Sequence, residues 1–233
     1  MAAEVAPAGE ERRVPATTKG EATRAFLLRV AARVFAERGY AATTLSELIA
    51  ASGLTKGAFY FHFRSKAELA LAVVDDQQAR WLDRVNTRVL ALPSAGEQLR
   101  ALVPAMLELI ESDPAAWSIT RLTKELATDP GLAEQACSPM AAWVALVAGI
   151  VRRGQHDHTL RADVDPDAVG VVLVGAFDGL KALTDVLAPG AGPERSRALF
   201  RSRARTLLVL VDAALAPTAD RRNHRASPTA ERP

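Results

Sequence analysis

The side chains best placed to do chemistry in this 233-residue chain lie in one early stretch, residues 43–63, TTLSELIAASGLTKGAFYFHF. Thr44 stands three residues before Glu47, the capping-box spacing that starts a helix, and Leu45, Leu48 and Ile49 form one apolar side of it. Gly53 closes that helix, and Thr55 is placed to cap a second, leaving a turn of about four residues with glycine at its start. In the second helix Phe59 and Phe63 are four apart and pack inward with Leu54, which leaves Lys56, Gly57 and Tyr60 on another face. A cation, a bare backbone and a phenol are tools of recognition, suited to a major groove and its flanking phosphates. A glycine inside a helix costs about 1 kcal/mol relative to alanine, and close approach to another surface is a reason to keep it. His62 and Lys66 follow, Lys66 at the expected start of the next helix, where the dipole and free N–H groups favour phosphate.

These residues must be positioned by helices. Residues 22–38 place Phe26, Leu27, Val30, Ala31, Val34 and Phe35 on one face and Arg24, Arg29, Arg33 and Glu37 opposite, with Gly39 as the stop. Similar patterns run over 66–92, 95–112, 114–127, 131–153, 166–187 and 193–215, broken at Pro93, Asp113-Pro114, Asp129-Pro130, Gly154 and Ala188-Pro189-Gly190. Strand-like alternation is lacking, so the expected class is all-α, about nine helices. The expected organisation is a mobile arm over 1–19, a three-helix helix-turn-helix domain over 20–65, a larger helical domain over 66–215 and a mobile tail over 216–233. Charge divides in the same way: residues 1–66 carry ten Lys/Arg and six Asp/Glu, and residues 67–215 carry 15 and 19. A basic front on an acidic body expects a polyanion at the front.

The larger domain offers a second chemistry. Gln77 shares a four-residue spacing with Leu69, Val73, Trp81 and Val85, so an amide interrupts an apolar face and can donate to a ligand carbonyl, or be a core amide satisfied by backbone. Trp143 lies among Met140, Val144, Leu146 and Val147, where its indole either stacks on a ligand ring or packs in the core; Trp117 carries the same two readings. Residues 168–177, AVGVVLVGAF, are apolar all round, Gly175 and Gly179 permit close backbone approach, and the last helix adds Leu199, Phe200, Leu207, Leu210 and Val211, which together suit a four-helix interface between two copies.

Other classes fit less well. His156-Asp157-His158 has no third ligand at recognisable spacing, so no metal is expected. Cys137 is the single cysteine and lacks a local basic partner. P-loop, GxGxxG and GxSxG patterns are lacking, so no cofactor is expected and a small helical enzyme is the weak reading from another class. The arginines at 195, 197, 201, 203 and 205 spread around their helix, unlike a membrane-surface helix, and no apolar run reaches the roughly 18 residues of a membrane span. The expected location is cytoplasmic.

The segments VFAERGY, TTLSELIAASGLTKGAFYFHF and SKAELALAV together resemble the DNA-binding domain of TetR-type transcriptional repressors over about 50 residues without gaps. That resemblance implies a homodimer that binds double-stranded, palindromic operator DNA and is released by a small-molecule effector. It implies groove and base contacts from Ser46, Lys56, Gly57 and Tyr60, with Thr44, Thr55, His62 and Lys66 holding phosphates. The wording TTLSE, TKGAFYFHF and SKAELA is most similar to the γ-butyrolactone autoregulator receptors of filamentous actinobacteria, with Phe59 in place of a common leucine. Gln77 and Trp143 match residues typical of those receptors, and Leu180 stands where they often have a threonine, with Thr184 one turn on. The implied effector is therefore a γ-butyrolactone-type or butenolide autoregulator controlling secondary metabolism, with an antibiotic or other drug-like ligand as the second reading. The implied mechanism is a population shift in which DNA and ligand favour different separations of two reading heads, linked by the helix from Lys66 through Gln77.

Overall fold

The computed structural model describes residues 19–112 and 119–217. Among them are nine α-helices and no strand: α1 (Lys19–Arg38), α2 (Leu45–Ser52), α3 (Lys56–His62), α4 (Lys66–Arg88), α5 (Ala95–Ser112), α6 (Ile119–Leu126), α7 (Ala133–His156), α8 (Pro166–Leu187) and α9 (Pro193–Leu215). The all-α expectation holds. Of the expected arm over 1–19 only Lys19 is described, as the first residue of α1, and the rest of it, most of the expected tail and Trp117 lie outside the described residues.

Local chemistry sets the front of the chain. Gly39 (φ 81°) and Gly53 (φ 65°) take the left-handed backbone that ends α1 and α2. Thr44 accepts from Glu47 N while the Glu47 carboxylate accepts from Thr44 N at 2.7 Å, the complete capping box. Thr55 caps α3 through Ala58 N at 3.2 Å, and Ser65 caps α4 through Glu68 N at 3.0 Å.

Two cores result. The first gathers Leu27, Leu28, Val34 and Phe35 of α1, Leu48 of α2 and Phe59 and Phe63, but also Leu69, Ala70, Val73 and Val74 of α4 with Leu122 and Leu126 of α6. This core runs across position 65, so the three front helices close only on α4 and α6. The second core lies among α4, α5, α7, α8 and α9 around Trp81, Val85, Ile110, Ile150, Val151 and Phe200. The line Leu69, Val73, Gln77, Trp81 and Val85 is buried throughout, so α4 joins both cores along one face.

Among the described residues α7, and not the 168–177 run of α8, is the helix long and apolar enough to cross a bilayer by length and composition, with a mean hydropathy of 1.3. It packs against α8, α5, α4 and α6 instead. Gly170 provides the close approach between α7 and α8: a Cβ there would stand 2.6 Å from the Val144 carbonyl oxygen. Gly175 and Gly179, expected to permit close backbone approach in an interface between two copies, have no atom within 4 Å of such a Cβ in the protomer.

Candidate nucleic-acid interface and effector cavity

On α3 the inward face is made by Phe59, fully buried, with Phe63 just beyond, their ring centroids 6.5 Å apart. The opposite face carries Lys56, Gly57 and Tyr60 outward: Tyr60 is 41% exposed, and a Cβ on Gly57 would meet nothing within 4 Å. The Lys56 ammonium lies 6.0 Å from the centre of the Tyr60 ring, so the cation and the phenol share one patch. Ser46, Thr44 and Thr55 are also exposed. The two threonine oxygens already cap α2 and α3, so each is held in place by its own helix.

Lys66 and His62 are placed differently. The Lys66 ammonium donates to the carbonyls of Tyr40 at 2.9 Å and Thr43 at 2.8 Å and lies 4.2 Å from the centre of the Tyr40 ring. Two of its three protons therefore hold the α1–α2 loop, and a phosphate would share the third. His62 is half-buried at the end of α3, its ring edge-to-face with Phe61 at 5.1 Å.

The same loop is gripped from the other side by α6. The Glu125 carboxylate accepts from Tyr40 N at 2.6 Å and Ala41 N at 3.1 Å, and from Arg121 at 2.8 Å. Burial pushes the Glu125 carboxyl up, but the Ala41 N–H, the Arg121 guanidinium and the Tyr40 N–H outweigh it and hold the group below its ordinary range. The next residue back, Lys124, pairs with Asp178 of α8 at 2.5 Å. Neighbouring residues of α6 thus tie the front domain and α8 to one short helix.

Asp178 belongs to the wall of a cavity of about 170 Å³ bounded by α4 to α9. Gln77, 7% exposed, and Trp143 both line it, as does Trp81, which is 3% exposed and stacks on Trp143 with centroids 4.3 Å apart and planes 23° from parallel. The Trp81 indole N–H is buried with no hydrogen-bond partner among the described residues, and Trp81 lines the cavity together with Gln77, Asp178 and Lys181. Leu180 and Thr184 are not in the lining. Thr184 is fully buried, donating to the Leu180 carbonyl and accepting from Arg203 of α9 at 2.7 Å each, so it faces α9. Phe177, Asp178 and Lys181 represent that part of α8 in the cavity. Burial lowers the Lys181 ammonium from its ordinary value, against the opposing pull of Asp185 and Asp178.

Trp81 was the site residue sequence reasoning passed over, although it lies on the four-residue line that singled out Gln77. Among the described residues no group of three or more His, Cys, Asp and Glu is placed to hold a metal.

Comparison with known proteins extends this picture. The description "bacterial regulatory proteins, tetR family" matches residues 27–73, and that of the BetI-type transcriptional repressor C-terminal domain matches 95–209. A transcriptional repressor of Mycobacterium tuberculosis is 32% identical over 77% of this chain and 89% of its own length. The A-factor receptor protein of Streptomyces griseus is 26% identical over 68% of this chain; the aligned part spans 54% of that receptor. A solved structure concerning control of antibiotic production by a bacterial hormone is 31% identical, covers 84% of this chain and 98% of its own, and superposes with a TM-score of 0.71. A γ-butyrolactone receptor structure is 29% identical over 82% of this chain and 100% of its own, with a TM-score of 0.57.

Proposed function

The chain belongs to the tetR family of bacterial regulatory proteins, and on that premise we propose that it is a homodimeric repressor released from a palindromic operator by a lipophilic γ-butyrolactone-type or butenolide effector. Members of this family are regulators and not enzymes. The observation that carries the proposal is α4 itself: its first residue, Lys66, grips the loop ahead of the reading helices, and its Gln77 and Trp81 line the cavity. A ligand that moves α4 at Gln77 therefore moves the support of α3.

In this reading Lys56, Gly57, Tyr60 and Ser46 enter the groove, and Thr44, Thr55 and His62 border the phosphates, with Lys66 adding its remaining proton. The ligand ring stacks on the Trp81–Trp143 pair and its carbonyl accepts from Gln77 or the Trp81 indole N–H. Two copies meet through α8 and α9, whose Val171, Val172, Val186, Leu187, Val209 and Leu210 are exposed in the protomer. The A-factor and γ-butyrolactone receptors among its relatives support the effector class. A drug-like effector is the second reading, favoured by the opposite charges of Asp178 and Lys181 in the cavity wall.

A gel shift on the chain's own promoter region tests this. The full chain should retard the fragment in a salt-sensitive manner, and a γ-butyrolactone with an alkyl side chain should release it while a straight-chain alcohol of equal length should not. Retardation relieved only by antibiotics selects the second reading, and no retardation refutes both.

A further inference from the structure

The α3 surface contains a side chain that the groove reading above does not use. Phe61 is 83% exposed, more than any other large apolar residue identified as exposed in the described structure. It is not part of a general apolar surface at the front of the chain: the other α3-side phenylalanines, Phe59 and Phe63, are buried at 0% and 1%. In helical register Phe61 lies five residues after Lys56, one turn (four residues) beyond Gly57 and next to Tyr60, so all four share the outward arc. The gap at Gly57 is left open by the ring, since no atom lies within 4 Å of where a Cβ would stand. The edge-to-face contact with His62 holds the ring while leaving its other faces to solvent.

A phenyl ring has neither donor nor acceptor, so it gains nothing from a phosphate and reads no polar base edge. The apolar group that a major groove presents is the C5-methyl of thymine. Continuity with Lys56, Gly57 and Tyr60 assigns the occupant to the same duplex. We propose that Phe61 is a specificity-determining residue that reads a thymine methyl at one position in each operator half-site. This rests on the DNA-binding reading, and the test separates the two.

The full-length chain is used to select its site from a pool of random duplexes. Duplexes of that site are then made with each thymine replaced in turn by deoxyuridine, which lacks only the methyl. At one thymine per half-site, the replacement should weaken binding about fourfold, the worth of one buried methyl-sized group. Phe61→Leu should keep that sensitivity, whereas Phe61→Ala should bind the two duplexes equally. No methyl-sensitive thymine, or a methyl effect undiminished in Phe61→Ala, overturns the proposal while leaving DNA binding intact. Failure to enrich any sequence overturns the DNA-binding reading with it. The melting temperature and oligomeric state of Phe61→Ala should match the parent; an altered oligomeric state would assign the ring to a protein contact and likewise overturn the proposal.

Discussion

Trp143 shows how a single side chain acquires a role only through its partner. Its indole lies 4.3 Å from that of Trp81, and both line the cavity, the wall on which the proposed function seats a ligand ring. Trp143→Ala is therefore expected to abolish effector-induced release while operator binding without effector stays within about twofold; release at unchanged effector concentration would remove Trp143 from the site. The α4 stripe through Gln77 was legible in the sequence because four-residue spacing is a local property of one helix. The Trp81–Trp143 stack was not, because it depends on how α4 crosses α7. The same limit explains Leu180 and Thr184: register along α8 says which residues share a side, but only the position of α9 shows that Thr184 faces Arg203. Lys66 was legible as a cation at a helix start, while its two loop carbonyls, 23 and 26 residues earlier in the chain, were beyond local reading.

At the scale of elements, α6 links the first core to α8, beside the continuous path along α4. Lys124 holds α8 and Glu125 holds the Tyr40–Ala41 backbone, so a displacement of α8 at the cavity reaches the α1–α2 loop through adjacent residues. The folded-state Glu125 carboxyl is held below its ordinary range, so its contribution is present above the unfolded value and is lost as pH falls through the folded one. Amide exchange should show this: Tyr40 and Ala41 protection should fall on acidification through the carboxylate range, and Glu125→Ala should speed their exchange about fivefold at neutral pH. Unaltered exchange in Glu125→Ala would break the link. The α7–α8 pair offers a second check. Gly170→Ala would drive a Cβ toward the Val144 carbonyl and should destabilise the protein by about 1–3 kcal/mol, read as a lowered melting temperature. Gly175→Ala meets no atom of its own protomer, so loss of stability there would report the partner subunit. Most helix bounds were legible from caps, prolines and glycines, which act locally. The cavity was not, because it is the space left by six helices, and Pro139, buried within α7 and lining it, reads in sequence only as a residue inside a helical pattern.

For the whole molecule, the charge split and the two apolar terminal helices carried the architecture into view before any contact was known. Residues 1–66 carry a net of +4 in a segment that includes the outward α3 face, and exposed apolar side chains of α8 and α9 stand in the larger helical part of the chain. In the proposed dimer, two copies joined there would place two α3 helices against one duplex, doubling the contacts and demanding a dyad in the site. The central claim is that the Lys56–Gly57–Tyr60 face enters that duplex. Footprinting of the full chain on its own promoter region tests it most directly. The account predicts protection of two half-sites related by a dyad about one helical turn or a multiple apart, with Lys56→Ala losing about tenfold or more in affinity while keeping the oligomeric state of the parent. An unprotected promoter, or a Lys56→Ala footprint identical to the parent's at every concentration, would contradict it.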